Sequence, residues 1–151
     1  MLSSVGIAES IYASDSTLSR QEISEARRVL TQATILQKSG KSAEANAFLK
    51  EKFPNGPPAG DLAVGYYKII ASLPGGWNEA RSGLEGLVKS DPKNLQYTLA
   101  LDALLGSKPE TRDLAFQNLA ATFKVRKVDK KRVLQVWREV LNAQQIGPRT
   151  A

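Results

Sequence analysis

Apolar residues recur every three or four positions along most of the chain, which is the spacing of one face of an α-helix. Stretches rich in glycine, proline and other turn-forming residues separate these periodic runs. The pattern predicts seven helices, over residues 20–39, 43–53, 61–73, 78–90, 95–105, 109–124 and 130–145. Ser42, Asp61 and Asp129 stand where N-terminal caps are expected. No stretch alternates apolar and polar residues long enough to predict a strand, so we expect an all-α protein.

The helices repeat with a fixed period. Ala45, Ala80 and Ala115 stand 35 residues apart, and each is followed four positions later by a leucine. These leucines are Leu49, Leu84 and Leu119. Columns of this kind are typical of stacked helix hairpins, in which each hairpin buries its apolar face against the next. The alternative is a helical bundle without repeats, in which the columns coincide by chance.

The period and the central alanine resemble the tetratricopeptide repeat (TPR), in which a small residue lets adjacent helices approach closely. Ala33 and Ala103 match another small position of that pattern, whereas Lys68 departs from it, and Pro92 alone matches its proline. The resemblance implies a TPR-like α-α superhelix, a right-handed solenoid of about three helix pairs and one further helix over 20–145. Residues 1–19 are expected to be a flanking segment, disordered or part of a preceding helix, and 146–151 the end of a fragment.

The composition excludes several kinds of chemistry. The chain has neither histidine nor cysteine, so a Ser-His-Asp triad, a thiol nucleophile and a histidine or cysteine zinc site are impossible within it. The fifteen acidic residues are scattered, and no glycine-rich phosphate loop is present. We therefore predict a protein that is not an enzyme and uses no cofactor or metal. No apolar run reaches the roughly 18 residues of a membrane span.

The net charge of +6 favours acidic partners. The densest basic cluster comprises Lys124, Arg126, Lys127, Lys130, Lys131 and Arg132. This cluster is either a docking site for an acidic partner or a solvated loop and helix start. Because no aromatic residue interrupts it, we do not expect nucleic-acid binding.

The TPR resemblance also implies a concave surface formed by the first helix of each pair, where ligands usually bind. The residues that its register places there are Arg27, Thr34, Lys38, Ile69, Ser72, Tyr97 and Leu104. Aromatic side chains on a surface can stack on the apolar faces of sugars. We expect Tyr97 and Trp77 to be exposed in this way, and Tyr67 and Trp137 to pack in the core.

One turn and the helix after it carry a narrower resemblance. The turn reads Gly56-Pro57-Pro58-Ala59-Gly60-Asp61, and the helix begins Leu62-Ala63-Val64-Gly65-Tyr66. With the flanking helices, this run resembles the periplasmic TPR region of the bacterial cellulose synthase operon protein C family. Residues 55–60 of the same turn are also predicted to act as a hinge, because few contacts are expected to cross it.

This resemblance implies a non-catalytic periplasmic scaffold, part of an outer-membrane-anchored protein that links the cellulose synthase to its export channel. The implied partners are proteins of the cellulose synthase complex, with cellulose and peptidoglycan as further candidates. A generic TPR module that binds a peptide in its concave groove is the alternative, and direct binding of glycan through exposed aromatics is a third hypothesis.

Overall fold

The computed structural model describes residues 18–146, and these residues form α-helices joined by turns and short loops, without a strand. The helices are α1 (Arg20–Lys38), α2 (Ser42–Lys52), α3 (Asp61–Ser72), α4 (Trp77–Ser90), α5 (Leu95–Gly106), α6 (Pro109–Phe123) and α7 (Lys130–Ile146). Each predicted helix begins and ends within one residue of the observed one. The prediction of an all-α fold is confirmed, and the order of the helices is consistent with TPR-like hairpins. The predicted flanking segments, 1–19 and 146–151, lie almost entirely outside the described residues.

The chain divides into two compact units, residues 1–76 and residues 77–151. In the described part of the first unit, α1 packs against both α2 and α3. In the second unit, α5 packs against α4, α6 and α7, and α6 also packs against α7. The central position of α5 leaves little of its circumference open to solvent.

The helices begin in two ways, with a side-chain cap or without one. Ser19 caps α1, since its Oγ accepts a hydrogen bond from the Glu22 N–H at 3.1 Å, and the Asp129 Oδ1 accepts from the Arg132 N–H at 3.3 Å, as predicted. The predictions for Ser42 and Asp61 are wrong, because both residues lie inside the first turn of their helices. Gly60 precedes α3 with φ 67° and ψ −143°, a conformation open to glycine, so the helix begins one residue earlier than a side-chain cap would allow.

The repeated alanines are buried completely, and the leucines four positions later are buried with them. Ala45 and Leu49 belong to the first unit, and the other two pairs to the second. The 35-residue period therefore marks positions that are fully buried where helices pack together.

An aromatic cluster connects the two sides of the double-proline turn in the first unit. Tyr66 is buried, and its ring meets those of Phe53 and Tyr67 edge to face, with centroids 5.8 and 5.3 Å apart. The Tyr66 hydroxyl accepts a hydrogen bond from Lys50 Nζ at 3.2 Å. This cluster explains why an aromatic residue stands both before the turn and after it. The turn lies inside the first unit, and its role as a hinge stays a prediction.

Candidate functional site

The predicted basic cluster lies on the surface of the second unit, around the loop between α6 and α7. All six of its side chains are exposed: Lys124, Arg126, Lys127, Lys130, Lys131 and Arg132. The sequence alone predicts this density of charge, and the structure shows that it surrounds a short, ordered connection.

Hydrogen bonds within the α6–α7 loop fix its shape. The Val125 N–H donates to the Thr122 carbonyl at 3.0 Å, and the Val128 N–H donates to the Val125 carbonyl at 3.3 Å. Between them, Lys127 adopts a φ of 66°, in the left-handed region that a residue other than glycine seldom occupies. The loop therefore holds its basic side chains on a defined backbone, at the expense of local strain at Lys127.

A groove of about 600 Å³ lies beside this loop, within the second unit. Three stretches of chain line it: the α4–α5 turn with the start of α5, the end of α6, and the α6–α7 loop. The lining residues are Pro92, Lys93, Leu95, Thr98, Thr122, Val125, Arg126, Lys127, Val128 and Asp129. Two members of the basic cluster, Arg126 and Lys127, belong to this lining, and the other four do not.

The walls of the groove combine apolar and cationic groups. Leu95 and Val128 pack against the core cluster of Leu99, Leu119, Val133 and Val140, which fixes the apolar side. Lys93, Arg126 and Lys127 carry positive charge at the same groove. Lys93 was missed in the sequence, because it lies more than 30 positions before the basic cluster and no local pattern connects the two. Such a surface suits a ligand that has both a negative charge and an apolar group.

Two threonine hydroxyls also line the groove. The Thr122 hydroxyl donates to the Asn118 carbonyl at 2.9 Å, and the Thr98 hydroxyl donates to the Asn94 carbonyl at 3.4 Å. With their protons engaged in this way, both oxygens keep lone pairs that can accept a hydrogen bond from the backbone N–H of a ligand.

The residues predicted for the concave surface differ in exposure. Arg27, Lys38 and Ser72 are not buried, and Thr34 is half-buried. Ile69, Tyr97 and Leu104 are buried. The hydroxyls of Thr34 and Ser72 donate to the carbonyls of Leu30 and Ile69 of their own helices, at 2.8 and 2.6 Å. The set is divided between α1 and α3 of the first unit and α5 of the second, and its role in binding stays a prediction.

The expectation that Tyr97 is exposed is wrong: only 7% of its surface is accessible. Trp77 is half-buried, and its Nε1 donates to Ser107 Oγ at 3.1 Å. Lys108 Nζ lies 4.3 Å from the centroid of the Trp77 ring, where a sugar would stack. Trp137 packs against the core cluster and Phe116, as predicted. The aromatic residues therefore give little support to direct glycan binding.

A buried carboxylate, Asp102 on α5, was also missed in the sequence. Only 1% of the residue is accessible. Its Oδ1 accepts a hydrogen bond from Asn118 Nδ2 of α6 at 3.1 Å, whereas its Oδ2 has no partner among residues 18–146. Burial raises the pKa of Asp102 to about 6, and the hydrogen bond from Asn118 offsets part of that effect.

Residues 18–146 place the chain in the class of all-α proteins built from packed helices, in an arrangement consistent with TPR-like hairpins. Within residues 18–146, the helices fall short of the length and apolarity needed to cross a membrane. No family model matches the chain, and no solved structure matches it.

Relatives are found among bacterial proteins that share one name. Cellulose synthase operon protein C of Komagataeibacter sucrofermentans is 39% identical over 95 residues, which are 63% of this chain and 7% of that protein. The protein of the same name from Xanthomonas axonopodis pv. citri is 39% identical over 74 residues, 49% of this chain and 5% of that protein. The one from Escherichia coli is 32% identical over 102 residues, 66% of this chain and 9% of that protein.

The chain is related to a segment of cellulose synthase operon protein C. The resemblance based on the double-proline turn is thus confirmed at the level of the family. The chain spans 5 to 9% of the length of these relatives.

Proposed function

We propose that this chain is a non-catalytic scaffold segment of the bacterial machinery that makes and exports cellulose. The observation that carries the proposal is the shared name of relatives from three genera, at 32 to 39% identity. The absence of histidine and cysteine from the chain agrees with a role in binding. In this role the segment is part of a TPR solenoid that holds other components of the machinery in place.

The proposal includes a location and a task. The segment lies in the periplasm, as part of an outer-membrane-anchored protein that links the synthase to the export channel. Its contacts are with proteins of the complex, with cellulose or peptidoglycan as further ligands. The packing of α5 against three neighbouring helices supports a rigid binding platform in the second unit, and the basic groove supplies a surface for a protein contact.

A segment exchange in Komagataeibacter sucrofermentans tests the role. The aligned 95 residues of its cellulose synthase operon protein C are either deleted or replaced by their counterparts from this chain. We expect the deletion to reduce the dry mass of cellulose strongly and the replacement to restore most of it. Protein levels are compared by immunoblot, so that loss of the protein is not mistaken for loss of function.

The matched control replaces the same residues with helix hairpins of equal length from an unrelated protein. Restoration by this unrelated segment would reduce the role to that of a spacer and contradict the proposal. Failure of the replacement by this chain, at normal protein level, would also contradict it. Protection of the exchanged segment from protease in intact cells, and its cleavage after the outer membrane is permeabilised, tests the periplasmic location.

A further inference from the structure

The groove beside the α6–α7 loop has an apolar wall that is left open to solvent. Val125 is 55% exposed although it lines the groove. Leu95 and Val128, on the same surface, are held by the core of the second unit. A fixed apolar wall of this kind gains free energy when an aliphatic side chain covers it.

The charge of the groove is positive. Lys93, Arg126 and Lys127 line it, and Asp129 is the single acidic residue among the described residues of its lining. The Asp129 carboxylate accepts a hydrogen bond at the start of α7. Three cations and one carboxylate give the described lining a net charge of +2, which attracts an anionic ligand. The four remaining members of the basic cluster strengthen the positive potential around the groove.

The chemistry of the lining distinguishes between kinds of ligand. Within the part of the chain that the structure describes, no aromatic residue lines the groove, whereas sugars and nucleic-acid bases are usually held by stacking on aromatic side chains. A polyanion without apolar groups would leave Val125 in contact with water. The volume of about 600 Å³ suits a few side chains of an extended segment.

We propose that this groove binds an extended acidic peptide segment of a protein partner. One aliphatic side chain of the segment covers the wall formed by Leu95, Val125 and Val128. Neighbouring Asp or Glu side chains of the segment pair with Lys93, Arg126 and Lys127. The threonine hydroxyls accept hydrogen bonds from its backbone. The site shares no residue with the set predicted for the concave surface.

A displayed library of random heptapeptides, selected on the full 151-residue chain, tests the ligand chemistry. The Val125→Ser/Arg126→Glu double variant removes non-specific binders in each round. We expect enriched peptides to carry a Leu, Ile or Val flanked by Asp or Glu. Failure to enrich any peptide over the double variant, or enrichment of peptides without acidic residues, would overturn the proposal.

Fluorescence anisotropy with the most enriched peptide then tests the site through matched pairs of variants. Arg126→Glu reverses a charge inside the groove, and Lys131→Glu makes the same change in the basic cluster outside it. Val125→Ser removes an apolar side chain inside the groove, and Leu134→Ser removes an exposed one on α7. We expect the two groove variants to weaken binding by about tenfold and the two controls by less than about twofold.

Equal losses in Arg126→Glu and Lys131→Glu would mean diffuse electrostatic attraction and would overturn the proposal. Competition by polyaspartate, or by the anionic polysaccharide polygalacturonate, as effective as that by the peptide would overturn it too. Urea unfolding of every variant shows whether a loss of binding reflects a loss of folding.

The groove proposal goes beyond the cellulose role and does not depend on it. Peptide binding by the purified chain, together with a failed segment exchange, would support peptide binding in the groove and contradict the proposed role in cellulose export. A successful exchange without peptide binding would support the role in cellulose export and contradict peptide binding in the groove.

Discussion

The two units of the chain are built from the same repeated alanines and leucines, but they use their remaining residues differently. In the first unit, three of the four aromatic residues among residues 18–76 pack together beside the double-proline turn: Phe53, Tyr66 and Tyr67. The second unit holds the groove, the buried Asp102 and four of the five large apolar residues that are exposed within the described chain.

The motif that indicates the family therefore lies in one unit, and the chemically unusual residues lie in the other. The motif of residues 56–66 reflects packing and turn geometry in the first unit, and this motif revealed the resemblance. The buried carboxylate oxygen of Asp102 without a partner among residues 18–146, the strained Lys127 and the open apolar wall are all features of the second unit. Energetically unfavourable features that persist in a fold often mark functional sites.

We expect the largest effect from a substitution at a repeat position, which tests whether these positions stabilise the second unit. Leu119 is fully buried in the core cluster, so Leu119→Ala leaves a cavity and should reduce the free energy of unfolding by about 2–5 kcal/mol. Leu114, on the same helix, is 40% exposed, and Leu114→Ala should have an effect below about 1 kcal/mol. Urea denaturation followed by circular dichroism measures both, and similar losses would contradict the assignment of the repeat.

A second prediction compares close approaches in the two units. A Cβ at position 76 would overlap the backbone carbonyl oxygen of Ile70, and a Cβ at position 106 would overlap Val140 Cγ2 and lie 2.7 Å from Val140 Cγ1. A side chain can shift more easily than a backbone. We therefore expect Gly76→Ala to destabilise the protein by about 3 kcal/mol or more, and Gly106→Ala by about 2 kcal/mol.

Gly86 provides the control for these substitutions. It lies inside α4 with open space where an added Cβ would stand, and alanine has the higher helix propensity. Gly86→Ala should therefore stabilise the protein by about 0.5–1 kcal/mol. The three variants are compared by urea denaturation under the same conditions, and a loss of stability at all three positions would contradict the steric explanation.

The third prediction concerns pH and the buried carboxylate of the second unit. Because the pKa of Asp102 is raised to about 6 in the folded chain, folding favours the protonated form. The resulting stabilisation is fully present below about pH 4 and is lost as the pH rises through about 6. A shift of this size corresponds to at most about 3 kcal/mol.

Asp102→Asn removes this titration. Relative to the unaltered protein, the variant should gain up to about 3 kcal/mol of unfolding free energy between about pH 4 and about pH 7.5. Urea denaturation across that range measures the gain. Asp113→Asn, at an exposed position of α6, is the control. A constant difference between the unaltered protein and Asp102→Asn would show that Asp102 titrates alike in the folded and unfolded chains.

Much of the fold was predictable from the sequence, because the patterns that determine it involve residues that are close together in the chain. Turn-forming residues fix the ends of the helices, and the alanine period reports the buried positions. The exposure of the basic cluster was predictable for the same reason. By contrast, the groove depends on packing that brings Lys93 near Arg126, and Asp102 is indistinguishable in the sequence from a surface acid. Tyr97 was misassigned because the position of α5 between three helices is a tertiary property.

We expect the smallest effect from relieving the backbone strain at Lys127, which also lines the proposed groove. Lys127 has a φ of 66°, which disfavours a side chain by roughly 1 kcal/mol, whereas glycine adopts this conformation freely. Lys127→Gly should therefore increase the free energy of unfolding by up to about 1 kcal/mol while weakening binding of the selected peptide, because the residue lines the groove. Lys131→Gly, inside α7, should instead destabilise by about 1 kcal/mol and leave peptide binding nearly unchanged. Opposite changes of stability and affinity in Lys127→Gly would mean that the strained lysine serves binding. An increase in stability with unchanged affinity would show that the strain at Lys127 affects only the α6–α7 loop and not peptide binding.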